Sequence, residues 1–339
     1  MPKKISAALV LCGLLLIGTL GLLAKSFYPT NVGKDQVILK VYSVLPEDLT
    51  RALLDEYCKQ TKTKLEYTIL EKNTELKQLT AANAPDIYLA TRETLIELAA
   101  EGKLQASTTA VTDLVPSTLC DQKGLWFGLC YNPYVLFINH AYSRKVGQIS
   151  LQSWADVVKY EDVILSIEEL GSSAEMKNFL TAFASTQGET ETFRFLSALH
   201  KRVPQYSKFA ISPIRLTTIG EADIAITSRN KVMKYIEGDF PAYILTPVEG
   251  TPVQLFAVGM SKSSKQRVAG LRLLDWLYTA EEPQAITEVL HYGYIFHLTD
   301  LTQGANGSNE LWLNRNYLTA QAQATLVNKW LQTIRFADK

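Results

Sequence analysis

The sequence predicts an α/β fold in two lobes, and three observations carry that prediction. Apolar strand-like runs alternate with helix-period segments along most of the chain, which argues for a parallel sheet covered by helices. The alternation restarts near residue 125, after which the same grammar repeats. At 339 residues, 47% of them hydrophobic, the chain is long enough to bury a substantial core in each of two domains.

The elements follow in order. After a polar linker at 25–35, QVILKVYSVL (36–45) reads as a buried strand. Pro46, Glu47 and Asp48 then suit the first turn of a helix, where proline lacks only an N–H that would be orphaned and acids meet the positive end of the dipole. Leu49, Leu53, Leu54, Tyr57 and Cys58 continue at helical spacing. KLEYTIL (64–70) alternates Leu65, Tyr67 and Ile69 as a second strand, and a polar helix is predicted through Ala82. PDIYLAT (85–91) is a third strand, leading into the helix RETLIELAAEGKL.

The second block opens with LWFGLCYNPYVLFIN (125–139), a long apolar, aromatic and β-branched stretch. SLQSWADVVKY is a helix with Ser153 as candidate cap, EDVILSI a strand, and GSSAEMKNFLTAF a loop running into a helix, with ETETFRFLSALHKR another. PIRLTTIGEADIAITS adds a helix and a strand, AYILTPVEGTPVQLFAVGM (242–260) is strand-rich, and SKQRVAGLRLLDWLYTAEEPQAITEVL is helical with Val268, Leu271, Leu274, Trp276 and Leu277 largely on one side. No repeat of solenoid period is present.

The start of the chain reads differently. Lys3 and Lys4 precede an apolar stretch from Ile5 to Ala24 that, at about 1.5 Å per residue, nearly matches a ~30 Å hydrocarbon core. Residues 1–24 are therefore expected to be an export signal, a membrane anchor, or both, with Cys12 a membrane-buried thiol and the fold on the outer side. Charges are matched at 34 basic and 34 acidic side chains without a long run of one sign, so no nucleic-acid footprint is visible. Outside the cytoplasm disulfides persist, and Cys120 and Cys130 bracket a predicted hairpin turn at Lys123-Gly124: either a disulfide or two small buried hydrophobes fits. The four histidines are scattered, His291 and His297 lacking zinc-like spacing. The chain shows no P-loop, nucleophile elbow or zincin motif, and the expectation is a binding protein rather than an enzyme, with no cofactor.

Four blocks, in order, resemble one family. VYSVLPEDLTRALLDEYCKQTKTKLEYTIL is similar to the opening of extracytoplasmic solute-binding proteins of ABC importers, in the iron(III)-transport-like group. APDIYLATRETLIELAAEGKLQ resembles the family's A-D-V segment, GLWFGLCYNPYVLFIN its W-x-G strand pair, and GEADIAIT with TPVEGTPVQLFAVGMSKSSKQRVAGLRLLDWLYTAEEPQAI its G-E-x-x-I strand, P-x-E-G crossover and D-W-L helix. The resemblance runs from about Gln36 to Leu298. It implies a two-lobed type 2 periplasmic-binding-protein fold with hinge strands and an interlobe cleft. Lobe 1 would hold 36–130 and 247–300, lobe 2 would hold 131–246, and 301–339 would pack across them as a helical segment. It also implies a monomer, with a small-molecule ligand and a membrane permease as partners. A ferric-ion-binding protein of an iron importer, or a membrane-anchored sensory receptor, is the alternative use of the module.

Ligands of open α/β sheets bind beyond the carboxyl ends of strands, near helix N-termini. Four junctions answer to that description. Ser43 ends strand one, as a turn serine or an anion contact. Thr91 and Arg92 open a helix, where a hydroxyl and a guanidinium suit a carboxylate or phosphate unless Thr91 is a cap and Arg92 solvated. Ser172 and Ser173 sit in GSSAEM at another helix start, and Ser228, Arg229, Asn230 and Lys231 form the fourth. In the iron-binding members a tyrosine pair at the fourth junction supplies phenolates to ferric ion. Here Asn230 and Lys231, or their immediate neighbours, stand in those places, and positive charge with neutral oxygens favours an anionic solute over a bare cation. Tyr206, Arg215, Trp126, Tyr131 and Tyr134 are further candidates, Tyr131 and Tyr134 on the predicted crossover between lobes.

Overall fold

The computed structural model describes residues 38–145, 151–238, 240–295 and 310–337. The apolar N-terminal stretch, Cys12 and His297 lie outside them. Among the described residues no helix is long and apolar enough to cross a membrane.

The first sheet is built on β1 (Leu39–Ser43), with β2 (Leu65–Ile69) and β3 (Ile87–Thr91) parallel to it on either side. Helices α1 (Glu47–Thr61), α2 (Asn73–Lys77) and α3 (Arg92–Ala100) leave the carboxyl ends of these three strands. β3 carries no exposed residue, which is why its sequence is an unbroken apolar run. The predicted helix through Ala82 is shorter than expected, since Leu76 is the one residue of α2 that the core buries.

Two long strands then cross the molecule. β5 (Trp126–Asn139), which follows the short β4 (Leu104–Gln105), pairs antiparallel with β9 (Thr251–Ser261) over Trp126 to Pro133. From Tyr134 to Ile138 its partner is β7 (Ile224–Ser228). Pro133 stands at the handover, where a residue without an N–H costs the ladder least. The expectation of a parallel sheet thus holds for β1, β2 and β3, and for β6 (Leu165–Ile167) against β7. The antiparallel pairing of β9 with β3 and β5 makes the whole sheet mixed.

The second half packs α4 (His140–Lys145), α5 (Trp154–Val157), α6 (Ala174–Gln187), α7 (Glu189–His200), α8 (Ser212–Thr218) and α9 (Arg229–Ile236) around β5, β6, β7 and the edge strand β8 (Ala242–Leu245). Ser153 caps α5 in a reciprocal capping box with Asp156. α10 (Arg267–Thr279), α11 (Glu281–Val289) and β10 (Gly293–Tyr294) return to the first half, then β11 (Leu311–Trp312) pairs with the start of β9 and α12 (Ala320–Trp330) follows.

Apolar burial divides accordingly. One core gathers Leu39, Leu53, Tyr57, Val258, Leu274 and Leu277; a second gathers Tyr134, Leu136, Trp154, Phe179, Phe183 and Trp330. In the second, Trp154 meets Phe179 and Phe183 edge-on at 5.8 and 5.5 Å, and Phe183 stacks on Phe195 at 4.9 Å. Full burial of each such ring contributes about 1.5–3 kcal/mol. The C-terminal strand is shared: Leu311 and Leu313 belong to the first core and Trp312 to the second. Gly250 permits this approach. Its φ is +110°, and a Cβ there would stand 2.4 Å from Glu310 O and 2.5 Å from Trp312 Nε1.

Candidate functional site

A cleft of about 1350 Å³ opens where the two cores meet. Its lining comes from helix starts because β1, β2, β3 and β7 all point their carboxyl ends at it. Pro46 and Glu47 open α1, Lys72 to Thr74 open α2, and Thr91 opens α3 on one side. Ser172, Ser173, Ala174, Glu175 and Lys177 at α6, with Asn230 and Lys231 at α9, face them. Asn132 of β5 and Gln254 of β9 form the floor between.

The α6 N-terminus opens on the cleft. Ser173 Oγ accepts the Met176 N–H at 3.1 Å, which leaves the N–H groups of Ala174 and Glu175 without intrahelical partners and on the cleft wall. Ser172 is held beside it, donating through Oγ to Glu168 Oε1 at 2.5 Å. Lys177 adds a cation one turn further on. Lys231 Nζ reaches Glu175 Oε2 at 2.5 Å, so its charge is shared with a carboxylate. Across the cleft Arg51 pairs with Glu47 at 2.7 Å, and Lys77 pairs with Glu97.

At the base, Asn132 Nδ2 donates to Asn230 Oδ1 at 2.8 Å, and Asn230 Nδ2 donates to the Tyr292 hydroxyl at 2.8 Å. Burial raises the Tyr292 pKa far above the usual phenol range, with Asp48, Cys130 and Glu175 adding to it. Tyr67, on the cleft rim, donates its hydroxyl to Asp55 at 2.8 Å and also titrates high, first through burial and then through that bond. Both phenols are therefore neutral, the proton of Tyr67 being committed to Asp55. No group of three or more His, Cys, Asp or Glu side chains able to hold a metal ion exists among the described residues.

The sequence candidates divide by this geometry. Thr91, Ser172, Ser173, Asn230 and Lys231 line the cleft. Thr91 is also the cap of α3, its Oγ1 accepting from Thr94 N. Ser43 does not line it. Fully buried, it bonds Thr50 Oγ1 at 2.7 Å and accepts from Leu45 N at 3.1 Å, which shapes the turn into α1. Arg92 is buried too, held by Glu93 at 3.1 Å and by the Asn314 carbonyl, so its guanidinium braces the C-terminal strand instead. Ser228 is buried and donates to Asn230 Oδ1 at 3.1 Å, which positions that amide from behind. Arg229, next in the chain, turns outward and is exposed off the cleft wall. Tyr206 lies in the second core, its hydroxyl 3.1 Å from His200 Nδ1 and its ring 5.3 Å from Trp330. Its apolar ring is better satisfied there than at a wet cleft. Trp126, Tyr131 and Tyr134 are buried along β5, and Arg215 sits on α8; none of these lines the cleft. Cys120 and Cys130 flank the expected hairpin but are free thiols.

Lys72, Lys177, Asn132, Gln254 and Tyr292 are cleft residues that the sequence reading passed over. Lys72 and Lys177 had a readable signal, one at the β2-to-α2 junction and one a single turn inside α6.

Residues 41–294 match the family described as bacterial extracellular solute-binding protein. The chain belongs to that family. The solute-binding protein is 27% identical over 164 residues to an uncharacterized protein of Haemophilus influenzae, a match over 47% of each sequence, so the chain spans about half the length of the curated relative it matches. Among solved structures it is similar to the periplasmic binding protein AfuA of Actinobacillus pleuropneumoniae with fructose-6-phosphate bound, at 17% identity and TM-score 0.69 over 88% of this chain and 98% of that one. It is similar also to the ferric iron-binding protein A of Mannheimia haemolytica in an open conformation, at 17% identity and TM-score 0.72 over 89% and 99%. The solute-binding protein thus has the two-lobed fold of these periplasmic binding proteins.

Proposed function

We propose that this protein captures a small anionic solute outside the cytoplasm and delivers it to an ABC permease, acting as a monomeric binding protein without enzymatic turnover. Residues 36–130 with 247–300, and residues 131–246, act as the two lobes; ligand touching both favours the closed state, which the permease reads. One observation carries the anion: the α6 N-terminus, with Ser172, Ser173 and Lys177 around it, opens directly on the cleft. Phosphate, phosphonate and carboxylate groups all fit such a site. Membership of an extracellular family, and the expected signal or anchor at 1–24, support export.

Structural relatives include both a sugar-phosphate binder and ferric-ion binders. The cleft chemistry supports the anionic reading. A hard ferric ion wants anionic oxygen, whereas Asn230 and Lys231, at or next to the places where the resemblance puts phenolates, offer a neutral amide and a cation, and no cluster of three or more His, Cys, Asp or Glu able to hold a metal stands among the described residues.

The test is native mass spectrometry of protein purified without refolding, followed by a thermal-shift panel of phosphate esters, phosphonates, carboxylates and ferric ion. An anion at about 100 times its Kd stabilises the fold by roughly 2.7 kcal/mol. A melt raised by ferric ion alone would overturn the proposal.

A further inference from the structure

The cleft has two unlike walls. β1 and β2 pair in parallel as far as Ser43 and Ile69, and the Leu70 N–H then donates to Ser43 O at 2.8 Å, so the two chains leave the sheet side by side. What they carry there is hydrocarbon: Val44, Leu45 and Pro46 on one, Ile69 and Leu70 on the other, all on the cleft lining. Leu45 is buried in the first core, whereas Val44, Pro46, Ile69 and Leu70 stay half-buried. Val44 and Leu70 lean on the cluster around Tyr88 and Leu95; Ile69 leans on none of the apolar clusters formed by the described residues. Phe256 and Tyr292 continue this surface toward the floor, their rings meeting edge-on at 5.8 Å.

The facing wall is different in kind. The α6 and α9 starts supply Ser172, Ser173, Glu175, Lys177, Asn230 and Lys231, with Ala174 alone apolar among the described residues they contribute. Closing one wall directly on the other would strip water from two lysines and a glutamate and offer them hydrocarbon in exchange, which is unfavourable. Leaving the shelf in water forgoes apolar burial instead. A contiguous apolar surface inside a polar-rimmed cleft is matched by a ligand that is itself apolar on that side.

We infer that residues 44–46 and 69–70 form an apolar subsite, and that the solute is two-faced, with an anionic group for the α6 start and a hydrocarbon portion for this shelf. The inference rests on the anionic reading of the cleft for the first of those ends. A solute of this kind lies between the walls and gives each the partner that the other wall cannot. The shelf then decides which anions are held tightly, because inorganic phosphate, acetate and a hydroxylated ester all leave it wet.

Calorimetric titration of the full chain tests this with two short homologous series, methyl to butyl phosphate and acetate to pentanoate. Glycerol 3-phosphate is the hydroxylated partner of propyl phosphate, and inorganic phosphate and butanol serve as single-function arms. In at least one series affinity should rise about twofold or more per methylene, and the heat-capacity change of binding should grow more negative along it. Ile69→Ser should flatten the rise. The series and its heat capacity on the unaltered chain stand even where the variant fails to fold. Flat series, or glycerol 3-phosphate binding more tightly than propyl phosphate, overturn the apolar subsite and spare the anionic reading. A rise that a folded Ile69→Ser leaves unaltered overturns the placement on this shelf. Butanol binding with no affinity for any anion overturns the anionic reading and the two-faced solute with it. No binding in any arm overturns both.

Discussion

Asn132 and Asn230 are joined twice: Asn132 Nδ2 donates to Asn230 Oδ1 at 2.8 Å, and the Asn230 backbone N–H donates to Asn132 Oδ1 at 3.3 Å. Asn132 sits on β5 one residue before the handover at Pro133, and Asn230 is in the first turn of α9. The pair therefore fastens a cleft wall to the crossing strand. Asn132→Ala leaves the Asn230 amide short of partners and is expected to cost about 1–3 kcal/mol. A double-mutant cycle with Asn230→Ala, read by urea unfolding, should show a coupling of about 0.5–3 kcal/mol. Strict additivity would mean that the bonds contribute nothing.

Lys231 is bound to Glu175, and both side chains are about a quarter exposed. Glu175→Gln is expected to free that cation and tighten inorganic phosphate or phosphate-ester binding severalfold at low ionic strength. Lys231→Met should weaken it by a similar factor. Both effects should shrink between 20 mM and 500 mM salt, since screening acts on a partly exposed charge. Calorimetry at the two salt concentrations reads them; a rise in affinity for Lys231→Met would contradict the assignment of that wall as cationic.

Ser173→Ala removes the α6 cap. The expected loss is about 1 kcal/mol of stability, and Ser173→Gly should cost only a few tenths. Circular-dichroism melts of the two variants check the order.

The thiols of Cys120 and Cys130 are free, and burial pushes Cys130 upward well beyond the ordinary thiol range. Reductant should leave the melting temperature unchanged, and alkylation in the native state at pH 8 should spare Cys130, as peptide mapping would show. A reductant-sensitive melt would point to a disulfide between them.

Glu189 meets Lys329 and Tyr317, so α7 is tied to the C-terminal helix. The lysine bond first, aided by its charge and by the Tyr317 hydroxyl, holds the Glu189 carboxyl below its usual value, outweighing a rise from burial. The folded state thus binds this proton less readily than the unfolded chain does. Its stabilising contribution is complete above about pH 4.5 and disappears as pH falls through the lower folded value. Glu189→Gln should flatten the acid limb of the stability profile, and exchange of α12 amides with deuterium should rise below pH 4 in the parent but not selectively in the variant.

Much of the fold was legible because buried strands and amphipathic helices leave local periodic signatures. The runs at 39–43, 87–91 and 126–139, and the helix starts at Pro46, Thr91 and Ser173, are each written in a few neighbouring residues. The antiparallel place of β9 between β3 and β5 was not, because pairing direction depends on residues more than a hundred positions apart.

The cleft divides in the same way. That helix starts would surround a ligand followed from alternation and family likeness, and Thr91, Ser172, Ser173, Asn230 and Lys231 stand there. Direction was undetermined: Arg92 and Arg229 follow directly after Thr91 and Ser228, yet one braces Asn314 and the other faces solvent. Consecutive residues in a helix point about 100° apart, so proximity in sequence does not place a side chain in a cleft. Sequence alone determined the kind of element and the family. Only tertiary contact decided which hydroxyls became structural, which lysine met a carboxylate, and that Asn178 would be buried with an acceptor to spare. Those outcomes depend on what the chain brings opposite each group, and that partner is distant in sequence.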